Sequence, residues 1–174
     1  MKNLSKFREI LCLIMKKAFR ARFLFFFFAA ISWSAGAQKS TCSYEKAMSE
    51  QGLVEVKKEI PSVLVELKYA TSDNFMKKNV YGCLNTAYLQ KEVIVKLKKA
   101  NELLQQSNPG YHILIYDAAR PLSIQWVLWN TLSDLVPQER QKYVADPKEH
   151  SIHNYGSAID LTLADEKGQA LDMG

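Results

Sequence analysis

The predicted elements, in the order strand, helix, strand, helix, strand, are consistent with an α+β domain. The chain has 174 residues, and the roughly 137 that follow a targeting segment suit one domain with one core. The sequence shows no internal repeat, low-complexity linker or boundary of a second domain. We therefore expect one folded domain over residues 53–174, preceded by a polar and loosely ordered tail over residues 38–52.

Each element follows from its apolar pattern. Residues 63–67 are mostly aliphatic and follow a proline, which predicts a strand, and residues 111–116, rich in Ile, Leu and Tyr, predict a buried strand. Between them, apolar residues at steps of three or four predict a helix over residues 87–106. A second helix is predicted over residues 123–135, and alternation of apolar and small residues predicts the last strand over residues 157–163.

Residues 1–37 have the three parts of a secretory signal peptide. Four basic residues between Lys16 and Arg22 precede an apolar run over residues 23–31, and residues 35–37 form a cleavage site of the A-x-A type. The apolar run is shorter than the roughly 20 residues that a membrane-spanning helix needs. We expect export to the periplasm or another extracytoplasmic space, with a membrane contact only through this segment if it stays uncleaved.

The basic charge of the chain comes from the targeting segment. The whole sequence carries 23 Lys+Arg and 18 Asp+Glu, a net charge of +5. Residues 1–37 hold seven of the basic residues and one of the acidic ones, which leaves 16 basic and 17 acidic residues, a net charge of −1. A nearly neutral domain lacks the basic surface of a nucleic-acid-binding protein, so we expect no nucleic-acid partner.

Two of the three cysteines, Cys42 and Cys83, follow the targeting segment. An oxidising compartment permits a disulfide between them, and the sequence leaves open whether their geometry allows one. The histidine and carboxylate described next have no cysteine nearby, which argues against a cysteine-rich structural zinc site.

Two possible metal ligands, His153 and Asp160, lie seven residues apart with Gly156 between them. Both residue types bind zinc, and a catalytic zinc usually takes three protein ligands and leaves one position for water. Gly156 indicates a sharp turn or a close backbone approach. The alternation that follows places Asp160 on the face of small residues, which leaves room for a metal and a substrate. The alternative interpretation is a loop histidine and an unrelated carboxylate at a strand edge.

This stretch resembles the S-x-H-x-x-G-x-A-x-D signature of the D-alanyl-D-alanine dipeptidases, the vancomycin-resistance dipeptidase type within the zinc D-Ala-D-Ala peptidase group. The matching residues are Ser151, His153, Gly156, Ala158 and Asp160. The resemblance implies that His153 and Asp160 are two of the three ligands of one zinc ion per chain, and that Ser151 lines the substrate site. It also implies a small, mostly antiparallel sheet with packed helices.

Residues 68–75 resemble the K-Y-A-T-x-D-N-F segment of the same family. The resemblance implies a loop that walls the active site, with Tyr69, Asp73 and Asn74 as candidates for substrate or structural contacts. The alternative is a polar loop whose hydrogen bonds hold only its own shape.

Residues 117–121 resemble the family's D-G-Y-R-P element, with Asp117, Arg120 and Pro121 matching and with Ala118 and Ala119 departing from it. The resemblance implies that Arg120 stabilises the transition state. From the residues alone, an ion pair of Arg120 with Asp117 or another carboxylate is the favoured explanation.

These resemblances imply an exported zinc metallopeptidase that uses a metal-activated water to hydrolyse the dipeptide D-Ala-D-Ala in cell-wall peptide metabolism. A carboxypeptidase or endopeptidase acting on peptidoglycan stem peptides is one alternative. A non-catalytic peptidoglycan-binding or interaction module is another. The family takes its general-base Glu and third ligand His from an E-x-x-H element, which residues 1–174 lack. We therefore expect the domain to be incomplete at its C-terminal end and the chain as written to be inactive.

Overall fold

A computed structural model describes residues 42–173 of the chain. The signal-peptide interpretation of residues 1–37 lies outside this range. Within the segment expected to be a loosely ordered tail, residues 43–50 form a helix, so that expectation is wrong for these residues. Their polar sequence carries little helical signal, and the helix is stabilised instead by tertiary contacts described below.

Five helices and five strands make up the described residues. The helices are α1 (Ser43–Glu50), α2 (Val56–Glu59), α3 (Lys91–Ser107), α4 (Leu122–Thr131) and α5 (Pro137–Arg140), and two short 3-10 helices cover Lys68–Ala70 and Ile152–Tyr155. The strands are β1 (Val54–Glu55), β2 (Leu64–Val65), β3 (Tyr88–Leu89), β4 (His112–Asp117) and β5 (Asp160–Ala164). Over the described residues, no helix combines the length and the apolar character needed to cross a membrane.

Strand β4 is the centre of a three-stranded sheet in the order β2-β4-β5. β2 pairs with it in parallel, with Leu64 opposite Leu114, and β5 pairs antiparallel, with Ile113 opposite Leu163. β1 and β3 form a separate antiparallel ribbon. Two of these three pairings are antiparallel, so the predicted α+β fold with a small, mostly antiparallel sheet and packed helices is confirmed.

Helices α3 and α4 cover the core. Ile113 and Ile115 of β4 are buried in one apolar cluster with Ile94 of α3 and Leu128 of α4, and each fully buried aliphatic side chain contributes about 1.5–3 kcal/mol. The helix predicted over residues 87–106 begins later, at Lys91. The difference arises because residues 88 and 89 pair with β1, a long-range contact that the helical pattern does not reveal.

A disulfide joins Cys42 to Cys83, with 5.4 Å between their Cα atoms. It attaches the start of α1 to the loop that follows residue 82. Closing a chain segment of 41 residues stabilises a fold by about 4 kcal/mol in the chain-entropy treatment. Met48, buried in the core, and Glu45, which accepts a hydrogen bond from the Asn85 amide at 3.2 Å, hold the rest of α1.

Candidate metal centre

His153 is carried by the 3-10 helix Ile152–Tyr155, whose start and end are both fixed by local chemistry. Ser151 Oγ accepts from the His153 amide at 3.3 Å, and Asn154 Oδ1 accepts from the Ser151 amide at 2.7 Å, which together form a capping box. The helix ends at Gly156 with φ 65°, and a Cβ there would lie 2.9 Å from Leu53 Cδ2. Only glycine fits this turn without strain, and the turn therefore helps to fix the position of His153.

The imidazole of His153 is oriented by the backbone. Its Nδ1 lies 2.9 Å from the Ala118 carbonyl oxygen. Because a carbonyl only accepts hydrogen bonds, Nδ1 carries the proton, and the neutral ring presents the lone pair of Nε2. The backbone of the same residue is held as well, since the Arg120 amide donates to the His153 carbonyl at 2.9 Å. This is the arrangement that a metal-binding histidine requires.

Asp160 faces that free nitrogen. It begins β5, opposite Asp117, where the register of the β4–β5 pair shifts. Its Oδ1 lies 3.6 Å from His153 Nε2, and the Asp160 side chain is 59% exposed whereas that of His153 is 12% exposed. Two ligand atoms on one tetrahedral zinc are about 3.3 Å apart. The pair therefore fits a single ion at the solvent-facing edge of the sheet.

Asp117 completes a group of three. Among residues 42–173, one ligand atom from each of Asp117, His153 and Asp160 lies within 4.8 Å of the others. Asp117 is nevertheless occupied: its Oδ1 accepts from the Tyr81 hydroxyl and the Ala118 amide, and its Oδ2 accepts from Arg120. It also lies on the Nδ1 side of the imidazole, 3.7 Å from that atom. The atoms that face each other without another described hydrogen-bond partner are therefore His153 Nε2 and Asp160 Oδ1, whereas Asp117 is engaged with Arg120.

Arg120 is buried beside this group. Its Nε donates to Asp117 Oδ2 at 3.0 Å, Nη2 donates to the same oxygen, and Nη1 donates to Gln125 Oε1 at 2.8 Å. The ion pair with Asp117 expected as an alternative is therefore confirmed. Burial alone would lower the pKa of Arg120, but the charge of Asp117 outweighs it and raises the pKa, so the side chain stays cationic. Asp117 and Gln125 together engage three of its five N–H donors.

The electrostatics of the His153–Asp160 pair set its protonation. Burial alone would lower the pKa of His153, but the Asp160 carboxylate and the Ala118 carbonyl outweigh it and raise the pKa above the ordinary 6.5. The neighbouring His153 ring, opposed by burial, lowers the pKa of Asp160 below the ordinary 3.8. Without a metal, the two side chains therefore form an ion pair in mildly acidic solution.

We expect the Zn²⁺ affinity to decrease as the pH is lowered. A metal ion must displace the proton from His153 Nε2, so the Zn²⁺ affinity decreases below the raised pKa of that ring, approaching about tenfold per pH unit. In the metal-free protein, the contribution of His153 to stability is complete below pH 6.5 and is lost as the pH rises through its raised pKa. The contribution of Asp160 to stability is present above pH 3.8 and is lost as the pH falls through the lowered pKa of its carboxyl group.

Competition with a chelating dye, titrated with Zn²⁺ between about pH 5 and 8, measures this dependence. His112→Ala is the matched control. His112 starts β4, whereas the His153–Asp160 pair lies near the other end of that strand, roughly 17 Å away. That variant should keep the wild-type profile. An affinity that does not change across this range would show that the His153 ring is not a ligand.

Two other predicted residues lie close to this centre. The Tyr69 ring packs against the Arg120 guanidinium, with 5.2 Å from its centroid to Cζ, and also against the Tyr81 ring at 5.6 Å. Ser151 is buried, and its hydroxyl caps the helix that carries His153. Ala118 and Ala119, which depart from the family element, are buried as well and contribute backbone groups.

Asp73 and Asn74 hold their own loop together. Asp73 pairs with Lys68 at 2.7 Å and is 72% exposed. The Asn74 side-chain amide donates to the carbonyls of Lys68, Thr71 and Lys78. All of the hydrogen bonds described for these two side chains stay within residues 68–78, as the alternative interpretation of the loop expects.

Sequence reasoning missed Tyr81 and Gln125. Both are fully buried, and both contact the Asp117–Arg120 pair. A single polar residue within the apolar run of residues 124–129 was the available signal for Gln125. Tyr81 lies 36 residues from Asp117, and no local pattern connects the two.

Comparisons with known proteins point to one family. The sequence profile described as D-ala-D-ala dipeptidase matches residues 49–174. A protein of Escherichia coli (strain K12) named D-alanyl-D-alanine dipeptidase is 42% identical over 125 residues, covering 70% of this chain and 58% of that protein. One of the same name from Enterococcus faecium is 35% identical over 126 residues, covering 63% and 60%. A third, from Synechocystis, is 28% identical over 109 residues, covering 49% and 44%. The chain thus spans less than two thirds of the length of each relative.

Proposed function

The chain belongs to the D-ala-D-ala dipeptidase family, and on that premise we propose that the protein is a zinc-dependent dipeptidase that hydrolyses D-Ala-D-Ala in cell-wall peptide metabolism. The observation that carries this proposal is the His153–Asp160 pair, with Nε2 and Oδ1 facing each other at 3.6 Å and with Arg120 beside them. The substrate is a small D-amino-acid dipeptide, the class that the names of the relatives indicate.

The residues present fit one zinc ion. His153 Nε2 and Asp160 Oδ1 would hold it, and the Ala118 carbonyl fixes the tautomer that leaves Nε2 unprotonated. Bound there, zinc supplies a water whose pKa is lowered enough to give hydroxide near neutral pH. Residues 1–174 contain no E-x-x-H element. We therefore propose that this stretch, assayed by itself, binds zinc weakly and hydrolyses little substrate.

Arg120 stabilises the negative charge that develops on the carbonyl oxygen of the scissile peptide bond. Asp117 and Gln125 engage three of its N–H donors and leave two for the substrate. Because the side chain is 8% exposed, these donors act in a largely dry setting, where they stabilise a developing oxyanion more strongly than in water. The Tyr69 ring over the guanidinium keeps water from one of its faces.

We place the mature domain outside the cytoplasm. The signal-peptide pattern of residues 1–37 supports this proposal, and the Cys42–Cys83 disulfide fits an oxidising compartment.

The test is a hydrolysis assay on the gene product at its full length. We expect release of D-Ala from D-Ala-D-Ala, no hydrolysis of L-Ala-L-Ala, loss of activity with a chelator and recovery with Zn²⁺. Hydrolysis of a stem peptide ending in D-Ala-D-Ala, without hydrolysis of the free dipeptide, would identify a carboxypeptidase instead. Binding to peptidoglycan without hydrolysis of either substrate would identify a non-catalytic module.

A further inference from the structure

Tyr81 is a buried phenol that the proposed mechanism leaves unused. It is 0% exposed, and its hydroxyl donates to Asp117 Oδ1 at 2.5 Å. A phenylalanine ring would fill the same space without needing a hydrogen-bond partner. The hydroxyl therefore does something besides packing, and the group that it contacts is the carboxylate that holds Arg120.

The two carboxylate oxygens of Asp117 accept hydrogen bonds from different partners. Oδ1 accepts from Tyr81 and from the Ala118 amide, at 2.9 Å, and Oδ2 accepts from Nε and Nη2 of Arg120. A carboxylate held by four donors cannot turn about its Cβ–Cγ bond without breaking several hydrogen bonds. The Tyr81 hydroxyl thus determines which way Oδ2 faces.

Tyr81 is itself firmly placed. Its amide donates to the Tyr69 carbonyl at 3.0 Å, and its carbonyl accepts from the Leu84 amide at 3.1 Å. Two residues further on, Cys83 is tied to Cys42 by the disulfide. Gln125 Oε1 accepts a hydrogen bond from Arg120 Nη1. The guanidinium is thus held by Asp117, which Tyr81 positions, and by Gln125.

We infer that Tyr81 is a positioning residue for the hydrolysis: through Asp117 it fixes the plane of the Arg120 guanidinium, so that the two unused N–H donors point to the place where the oxyanion forms. This inference rests on the proposed function, and it assigns Tyr81 no contact with the substrate. A merely structural tyrosine would affect stability alone, whereas a positioning residue changes turnover in the folded enzyme.

Tyr81→Phe in the full-length, zinc-loaded gene product tests the inference. We expect kcat for D-Ala-D-Ala to fall about tenfold, with KM within about twofold and zinc content unchanged, because the lost interaction acts in the transition state. Tyr88→Phe is the matched control: Tyr88 is also buried, and its side chain has no described contact with Asp117 or Arg120. It should keep kcat within about twofold of the wild type.

A second readout does not depend on activity. The hydrogen bond to Asp117 should slow the exchange of the Arg120 Nε–H proton with solvent, which is measurable by NMR. Tyr81→Phe is expected to speed this exchange about tenfold and Tyr88→Phe to leave it unchanged. The measurement is made at a temperature at which circular dichroism shows each variant to be folded.

The double variant separates the possible outcomes. In an Arg120→Ala background, Tyr81→Phe should cause no further loss of kcat, because both changes remove the same interaction. A full additional loss of kcat in the double variant would overturn the inference. So would a loss of zinc in Tyr81→Phe, or a Tyr81→Phe variant with unchanged kcat and unchanged Nε–H exchange. None of these results would affect the proposed function. If the wild type does not hydrolyse the dipeptide, the proposed function fails, and the Nε–H exchange still decides whether Tyr81 positions Arg120.

Discussion

Replacing His153 with alanine in the full-length gene product is expected to abolish stoichiometric zinc binding and to reduce dipeptide hydrolysis by about a thousandfold or more. His153 presents the one imidazole nitrogen within the described residues that faces Asp160, at 3.6 Å. Loss of a residue that merely orients a ligand already costs about 10–100-fold in metal affinity or activity, so loss of the ligand itself should cost more. Without the ion, no hydroxide is available near neutral pH.

Zinc per chain, measured by atomic emission after dialysis, and turnover at saturating substrate check this prediction. His112→Ala is the control, since the His112 ring contacts the Ser62 carbonyl at 3.2 Å and lies away from the metal pair. It should retain the metal content and the activity of the wild type. One zinc per chain retained by the His153→Ala variant would be incompatible with the proposed centre.

Replacing Arg120 with alanine in the full-length gene product should lower turnover by about 10²–10³-fold while zinc content stays normal, as for the removal of an oxyanion donor elsewhere. The same change should lower the free energy of unfolding by about 3–5 kcal/mol, because it leaves the Asp117 carboxylate buried without its cation. Asp117 is 2% exposed, so water cannot readily replace the lost partner. The activity and the stability therefore change for different reasons.

A second substitution separates these two effects. Arg120→Ala combined with Asp117→Asn removes the unpaired charge, so it should recover part of the stability and none of the turnover. Arg140→Ala is the control, since in the described residues the Arg140 guanidinium donates to the backbone carbonyls of Leu135 and Ser133 and lies over the Trp129 ring. We expect that change to cost less than about 1.5 kcal/mol. Loss of zinc in Arg120→Ala would mean that the role assigned to Arg120 is wrong.

The sequence predicted the parts of the centre that local chemistry determines. The glycine between His153 and Asp160 indicated a turn, and the alternation after it indicated a strand, which together brought the two ligand types face to face. The core strand β4 and helices α3 and α4 followed from apolar periodicity. These features depend on residues that are near one another along the chain.

The parts that the sequence did not predict depend on distant contacts. Helix α1 is attached by a disulfide to a residue 41 positions away, and its polar sequence gives no sign of that attachment. β3 replaced the first turn of a predicted helix because it pairs with β1. The contact between Tyr81 and Asp117 joins residues 36 positions apart, and periodicity contains no information about such pairs.

The topology of the central sheet has a consequence for how the protein folds. Fifty residues separate Leu64 from Leu114, and fifty separate Ile113 from Leu163, so both neighbours of β4 reach it only by closing long loops. Non-local strand pairing of this kind slows folding. Asp117 and Asp160 lie opposite each other at one end of the β4–β5 ladder, so the metal centre is assembled only when that ladder has closed. On the proposed function, a nascent chain should therefore acquire its ion only after β4 and β5 have paired.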